Sequence, residues 1–269
     1  MDEIRAARLQ IFDVMIPGDI RAAERIHTEG ILKARDEWNG KLRDAAQIAE
    51  EIERAGGSFI TPESETWPAG LRDLIAPPVG LVIRGVIPAG PSIAIVGTRN
   101  PTHYGLSVTR NLSATLVDHG FTVISGGALG IDTEAHQSAL AAEGLTVAVI
   151  ASGISIDYPV ANRRLFTKIS ERGAIISEVM PTVTARPERF LTRNRLIAAI
   201  SNATVVVEAA HRSGSLRTAH DAAELLRPVM AVPGPISSPM SEGCHRLISD
   251  RTAEIITSPS DVISLVTPL

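Results

Sequence analysis

A single cysteine, Cys244, excludes an intramolecular disulfide and any multi-cysteine metal site. Aromatic residues make up only 3% of the chain, so its core must be aliphatic, built from Ala, Val, Ile and Leu. No apolar run approaches the roughly 20 residues that cross a bilayer, and the N-terminus is charged from Asp2 onward, unlike a secretory signal. A cytoplasmic protein is the resulting expectation. Basic residues are not in excess: the net charge is −4, so any nucleic-acid contact must come from a local patch.

Several chemistries lack their signatures. No Gly-Lys-Ser/Thr follows an apolar run, which removes a Walker A loop. The histidines, His136, His211, His220 and His245 among them, show no ligand spacing with carboxylates, and no metal site is expected. Ser125 precedes glycines but lacks a Gly-x-Ser-x-Gly elbow. Asp132 and His136, four apart, suit an ion pair, a helix-start cap or catalysis, with structural use favoured. Cys244 beside His245 has no companion motif and reads as a loop residue.

What is present divides the 269 residues into three parts. Residues 1–55 are polar and alanine-rich, with helical spacing broken at Pro17-Gly18, and form a small helical region that packs on the rest of the chain. Residues 56–91 are a Pro/Gly-rich connector with short strands expected at Ser58–Thr61 and Gly80–Arg84. From residue 92 to 269, short apolar runs (92–97, 121–125, 146–150, 174–177, 203–208 and 228–234) alternate with helical segments (105–119, 130–143, 162–172, 193–201 and 215–226). Continuous Val/Ile/Ala runs suit strands covered on both faces. The fold class is therefore α/β: an extended Rossmann-like, doubly wound, mostly parallel sheet, with ligands beyond the carboxyl ends of its strands.

The residues following those runs form a coherent rim. Gly97-Thr98-Arg99 follows the first, and Ser125-Gly126-Gly127, with Gly130 after it, follows the second. Glycine lets backbone amides approach an anion closely, and a helix start adds its positive end. Three owners of that anion are conceivable: a dinucleotide, a free nucleotide or a nucleic-acid backbone. The dinucleotide pattern needs a carboxylate at the end of the next strand, where Ile150-Ala151-Ser152 stands instead. Arg186, Arg189, Arg193 and Arg195 fall within ten residues, between the fourth and fifth runs, where they can reach the same rim. A solvated helix start with i,i+4 pairs is the bland reading; paired donation to phosphate is the functional one. Ser213-Gly214-Ser215 opens another helix and gives either a cap or a second anion nest.

In these blocks the chain resembles the DNA-processing protein A family (DprA, also called Smf). The resemblance rests on Val96-Gly97-Thr98-Arg99, the block from Ser125 to His136, Tyr158-Pro159, Ser177-Glu178, Phe190 to Ile197, Ser213 to Ala219 and Val232 to Gly234, in order over about residues 58–262. It implies a protein that binds and protects incoming single-stranded DNA, forms a homodimer and helps load RecA recombinase during DNA uptake and recombination, with no catalytic activity and no cofactor. Carried over by position, DNA phosphates would meet Gly97, Thr98, Arg99, Ser125, Gly126, Gly127, Arg193, Asn194, Arg195, Ser213, Gly214 and Ser215. Leu129 stands where the family often has a basic residue, implying weaker binding, and Leu191 stands in the usual Phe-Pro. From the end at "SDVISLVTPL", a short form without the winged-helix domain many members carry is expected. Few aromatics lie near the motifs (Tyr104, Tyr158 and Phe190), so contact would be led by the DNA backbone. A similar fold occurs in LOG-like nucleoside-monophosphate phosphoribohydrolases; in that alternative Asp221 would stand for the catalytic carboxylate.

Overall fold

The computed structural model describes residues 1–266. The N-terminal helices begin where the chain supplies acceptors for free amides. Asp2, Asp19 and Asp44 cap α1 (Glu3–Val14), α2 (Ile20–Glu29) and α4 (Ala45–Arg54), and the short α3 (Ile31–Ala34) lies between the last two. The apolar side of this bundle, including Leu9, Ile11, Phe12, Ile48 and Ile52, packs onto the sheet at Phe59, Val82 and Ile150. Phe12 meets Phe59 edge-on with ring centroids 5.1 Å apart.

Nine strands form one sheet: β1 (Ser58–Ile60), β2 (Leu81–Gly85), β3 (Ser92–Val96), β4 (Thr122–Ser125), β5 (Thr146–Val149), β6 (Ala174–Ser177), β7 (Ala203–Val206), β8 (Val229–Ala231) and β9 (Glu254–Ile255). Their spatial order is β1-β2-β6-β5-β4-β3-β7-β8-β9. Strands β3 to β9 pair in parallel, and the β1–β2 hairpin adds antiparallel to β6. The two strands of segment 56–91 thus extend the main sheet.

Strand alternation explains how an aliphatic sequence fills both faces. Ile93 and Ile95 of β3 point towards α5 (His103–Asp118) and α6 (Ile131–Ala141), where Leu112, Leu116 and Ile131 meet them. Ala94 and Val96 point the other way, towards Leu196 and Ile197 of α8 (Pro187–Ile200) and Ala219 and Ala222 of α9 (Ser215–Glu224). Each fully buried isoleucine contributes about 1.5–3 kcal/mol. Helices α7 (Arg163–Arg172), α10 (Glu242–Ser249) and α11 (Pro259–Val266) complete the layers.

Chain order reverses at β3, with β4 on one side and β7 on the other. Loops leaving the carboxyl ends of neighbouring strands then run to opposite faces and open a crevice between them. Two local expectations change. Helix α8 starts at Pro187, a residue pre-shaped for a first helical turn, so most of the arginine block is helical rather than loop. Cys244 lies inside α10, fully buried, its thiol directed at the carbonyls of Val206 and Val207.

Candidate nucleic-acid interface

At the switch point lies a cleft of about 760 Å³. Its walls come from the β3 loop (Gly97, Thr98, Arg99), the start of α8 (Arg186, Phe190, Arg193, Asn194) and the β7–α9 loop (Arg212, Ser213, Gly214, Ser215). Among the described residues, four arginines line it, against one carboxylate, Asp132.

The β3 loop owes its shape to close backbone packing. A Cβ on Gly97 would lie 2.6 Å from the Ile131 side chain and 2.9 Å from the Glu208 carbonyl oxygen. Thr98 N–H donates to that carbonyl at 2.7 Å, and the Ile131 amide donates to Thr98 O at 3.1 Å. Glu208, buried after β7, accepts from the Thr102 hydroxyl at 2.6 Å and its amide at 2.9 Å, which anchors the start of α5. Arg99 remains exposed, its Cζ 5.2 Å from the centroid of the Phe190 ring. Phe190 also meets Tyr158, with centroids 5.5 Å apart. A cation and two aromatic rings therefore stand at one end of the cleft, beside a smaller hollow that includes Gly126 and Leu129. The sequence names both rings, but only the fold joins residues 32 positions apart into a platform.

Arg193 is almost fully buried. Its Nη1 donates to Gly126 O at 2.6 Å and to Val149 O, and its Nε donates to Asn194 Oδ1 at 3.2 Å. Burial pulls its pKa down to about 10; Asp132 opposes that shift and Arg99 adds to it. It stays cationic at neutral pH. Asn194 donates to Gly214 O at 3.1 Å and ties α8 to the start of α9. There the Ser213 and Ser215 hydroxyls bond each other at 2.7 Å, Ser213 Oγ also accepts the Ser215 amide at 3.4 Å, and a Cβ on Gly214 would meet only open space.

Three expected residues lie elsewhere. Ser125 is fully buried, its hydroxyl spent on Ile95 O at 2.6 Å. Gly127, at φ +67°, faces the Phe166 ring. Arg195 follows Arg193 by two residues, which on an α-helix turns its side chain by about 200°. Its Nη2 reaches Glu178 at 2.6 and 2.8 Å, a buried ion pair outside the cleft. Burial raises the Glu178 pKa, and Arg195 opposes the shift. Gly97, Thr98, Arg99, Arg193, Asn194, Ser213, Gly214 and Ser215 do line the cleft, and Gly126 adjoins it.

The remaining candidates are structural. Asp132 Oδ2 accepts the Gly126 amide at 3.1 Å and the Ala128 amide at 3.4 Å. His136 is buried against Thr146 Oγ1 at 2.7 Å, and burial drives its pKa down to about 3, with Arg193 adding to the shift. Burial pushes the Cys244 thiol up to about 12, which makes it a poor nucleophile. Asp221 pairs with Arg217 at 2.7 Å and lines a separate groove with Arg195. Among the described residues, no group of three or more His, Cys, Asp or Glu side chains could hold a metal ion, and no helix is long and apolar enough to cross a membrane.

These features define a Rossmann-like α/β protein with an arginine-lined cleft at its switch point. Residues 58–267 match the DNA recombination-mediator protein A family, and the chain belongs to that family. A Mycobacterium tuberculosis relative named for DprA is 40% identical over 270 residues, covering 93% of this chain and 68% of its own length. The DNA processing protein A structure from Streptococcus pneumoniae superposes with a TM-score of 0.82 at 28% identity, over 97% of both chains. The Helicobacter pylori protein, described for its single-stranded DNA binding mode, gives 0.70 at 29% identity over 78% of this chain and 96% of that one.

Proposed function

We propose that this protein binds single-stranded DNA along the cleft between the β3 loop, α8 and the start of α9. One observation carries the reading: in a chain of net charge −4, four arginines line one cleft against a single carboxylate among the described residues. Arg99, Arg186 and Arg212 are exposed and free to meet phosphates, Arg193 supplies a fixed cation at the floor, and the Ser213–Ser215 turn offers hydroxyls and a helix start. Tyr158 and Phe190 give a sequence-tolerant surface for a base. Family membership extends the proposal: a cytoplasmic homodimer protects incoming single strands and hands them to RecA recombinase, without a catalytic step or a cofactor.

A nucleotide-cleaving alternative needs a carboxylate in the cleft. Asp221 lines a different groove, and Asp132 is held by loop amides, so nothing favours that reading.

The test is fluorescence anisotropy on single- and double-stranded oligonucleotides across a salt series, with nucleoside monophosphates as competitors. Single strands are expected to bind more tightly, with a log–log salt slope of about −0.7 per neutralised phosphate. Salt-independent binding, full competition by a monophosphate, or release of free base would overturn the proposal. Faster RecA filament growth on strands already coated by the protein tests delivery.

A further inference from the structure

A glycine loop between a strand and a helix ordinarily turns its amides towards a ligand anion. In the loop after β4 that place is taken by the chain's own carboxylate. Asp132, in the first turn of α6, accepts the amides of Gly126 and Ala128 on Oδ2. The same Gly126 gives its carbonyl to Arg193 Nη1 at 2.6 Å. One residue thus links the cleft's carboxylate to its buried arginine through both of its backbone polar groups. A Cβ there would run into the Arg193 guanidinium, so a side chain at this position would displace Arg193. With Nη1 on two carbonyls and Nε on Asn194, Nη2 is left without an acceptor among the described residues, in a side chain that lines the cleft.

We infer that Asp132 is a positioning residue for DNA binding: it fills the loop's amides in place of a phosphate and, through Gly126, holds Arg193 with Nη2 towards the strand. This rests on the DNA-binding reading. It implies that phosphates contact Arg99, Arg193 and the α9 start, while the Gly126 and Ala128 amides are not part of the DNA site.

Three roles for Asp132 differ in the sign of one measurement. As a bare negative charge in an anion-binding cleft, its neutralisation would tighten binding. As an acid that merely favours the first turn of α6, its loss would lower stability and leave affinity unchanged. As a positioning residue, its loss weakens binding.

The experiment measures the affinity of the full chain for an oligo-dT strand, at one salt concentration, in wild type and Asp132→Asn, each alone and combined with Arg193→Ala. Asp132→Asn is expected to bind about tenfold or more weakly, the loss typical of one hydrogen bond to a charged group. In the Arg193→Ala background it is expected to cost nothing further. Tighter or unchanged binding by Asp132→Asn, or equal weakening in both backgrounds, overturns the inference. A wild type that fails to bind at low salt removes the DNA reading and this role together; a binding wild type with an unaffected Asp132→Asn removes the role alone. Should Asp132→Asn fail to fold, hydrogen exchange in the free wild type decides. Gly126 and Ala128 amides protected like those of β4 sustain the inference, and exchange at open-loop rates overturns it.

Discussion

Arg99 and Arg195 offer a paired test, because two arginines of similar appearance in the sequence occupy opposite environments. Arg99 is exposed and touches the protein chiefly over the Phe190 ring. Removing an exposed cation–π contact costs about 0.5–1 kcal/mol, a fall of about 1–4 °C in melting temperature for a chain of this size. On the proposed DNA-binding reading, the same Arg99→Ala change deletes one phosphate contact. Affinity for single strands should fall roughly tenfold to hundredfold, for a charge-assisted bond of about 1.5–3 kcal/mol, and the salt slope should flatten by about 0.7. Arg195→Ala should do the reverse. It strands the Glu178 carboxylate in a buried site, at a cost of about 3–5 kcal/mol, or about 6–20 °C. The protein that remains folded should keep its affinity and salt slope. Differential scanning fluorimetry and anisotropy over a salt series measure the four quantities on the same samples. A flattened slope in Arg195→Ala, or an unchanged one in Arg99→Ala, would refute the division of these arginines between cleft and core.

Phe190→Ala should weaken single-strand binding by about 1–3 kcal/mol through lost stacking while the salt slope stays as in wild type; anisotropy at several salt concentrations separates the two. His136 is held far below its ordinary pKa of 6.5, at about 3, so its contribution is intact above pH 6.5 and is lost as pH falls towards 3. At pH 5 this amounts to about 2 kcal/mol. Asp132 and Glu178, raised by burial, act in the opposite sense, so the slope is isolated by comparing urea melts of wild type and His136→Gln across pH. Cys244 should resist thiol reagents at pH 8 in the native protein and react on addition of denaturant, with labelling followed by mass spectrometry.

The sheet was legible wherever a strand is buried on both faces, because only then does an apolar run stand out against its flanks. Strand β9 left no such run: Glu254 and Ile255 are both exposed at the sheet edge, and the strand exists through pairing to β8. Among the rim glycines and serines, Gly97, Ser213, Gly214 and Ser215 line the cleft, whereas spacing did not reveal that Ser125 and Gly127 turn into the core. Which arginines face the cleft was not, since that depends on where α8 begins. Starting the helix at Arg193 leaves the preceding arginines in a loop free to turn anywhere. Starting it at Pro187 brings Arg189 into the helix and sets Arg186 at its N-cap, whereas the opposite facing of Arg193 and Arg195, two residues apart, follows from either start.

The glycine loop shows a subtler limit. Its spacing marks amides that need an acceptor, and a ligand phosphate and a carboxylate six residues along satisfy that need equally well. A signal was nevertheless present. Asp132 falls in the first turn of the helix the loop leads into, where a short acidic side chain can fold back onto the preceding turn. A glycine-rich strand-to-helix turn followed at once by an Asp is therefore ambiguous between an anion site and a self-filled one. In this chain Asp132 takes the amides of Gly126 and Ala128, and the arginines that line the cleft are Arg99, Arg186, Arg193 and Arg212.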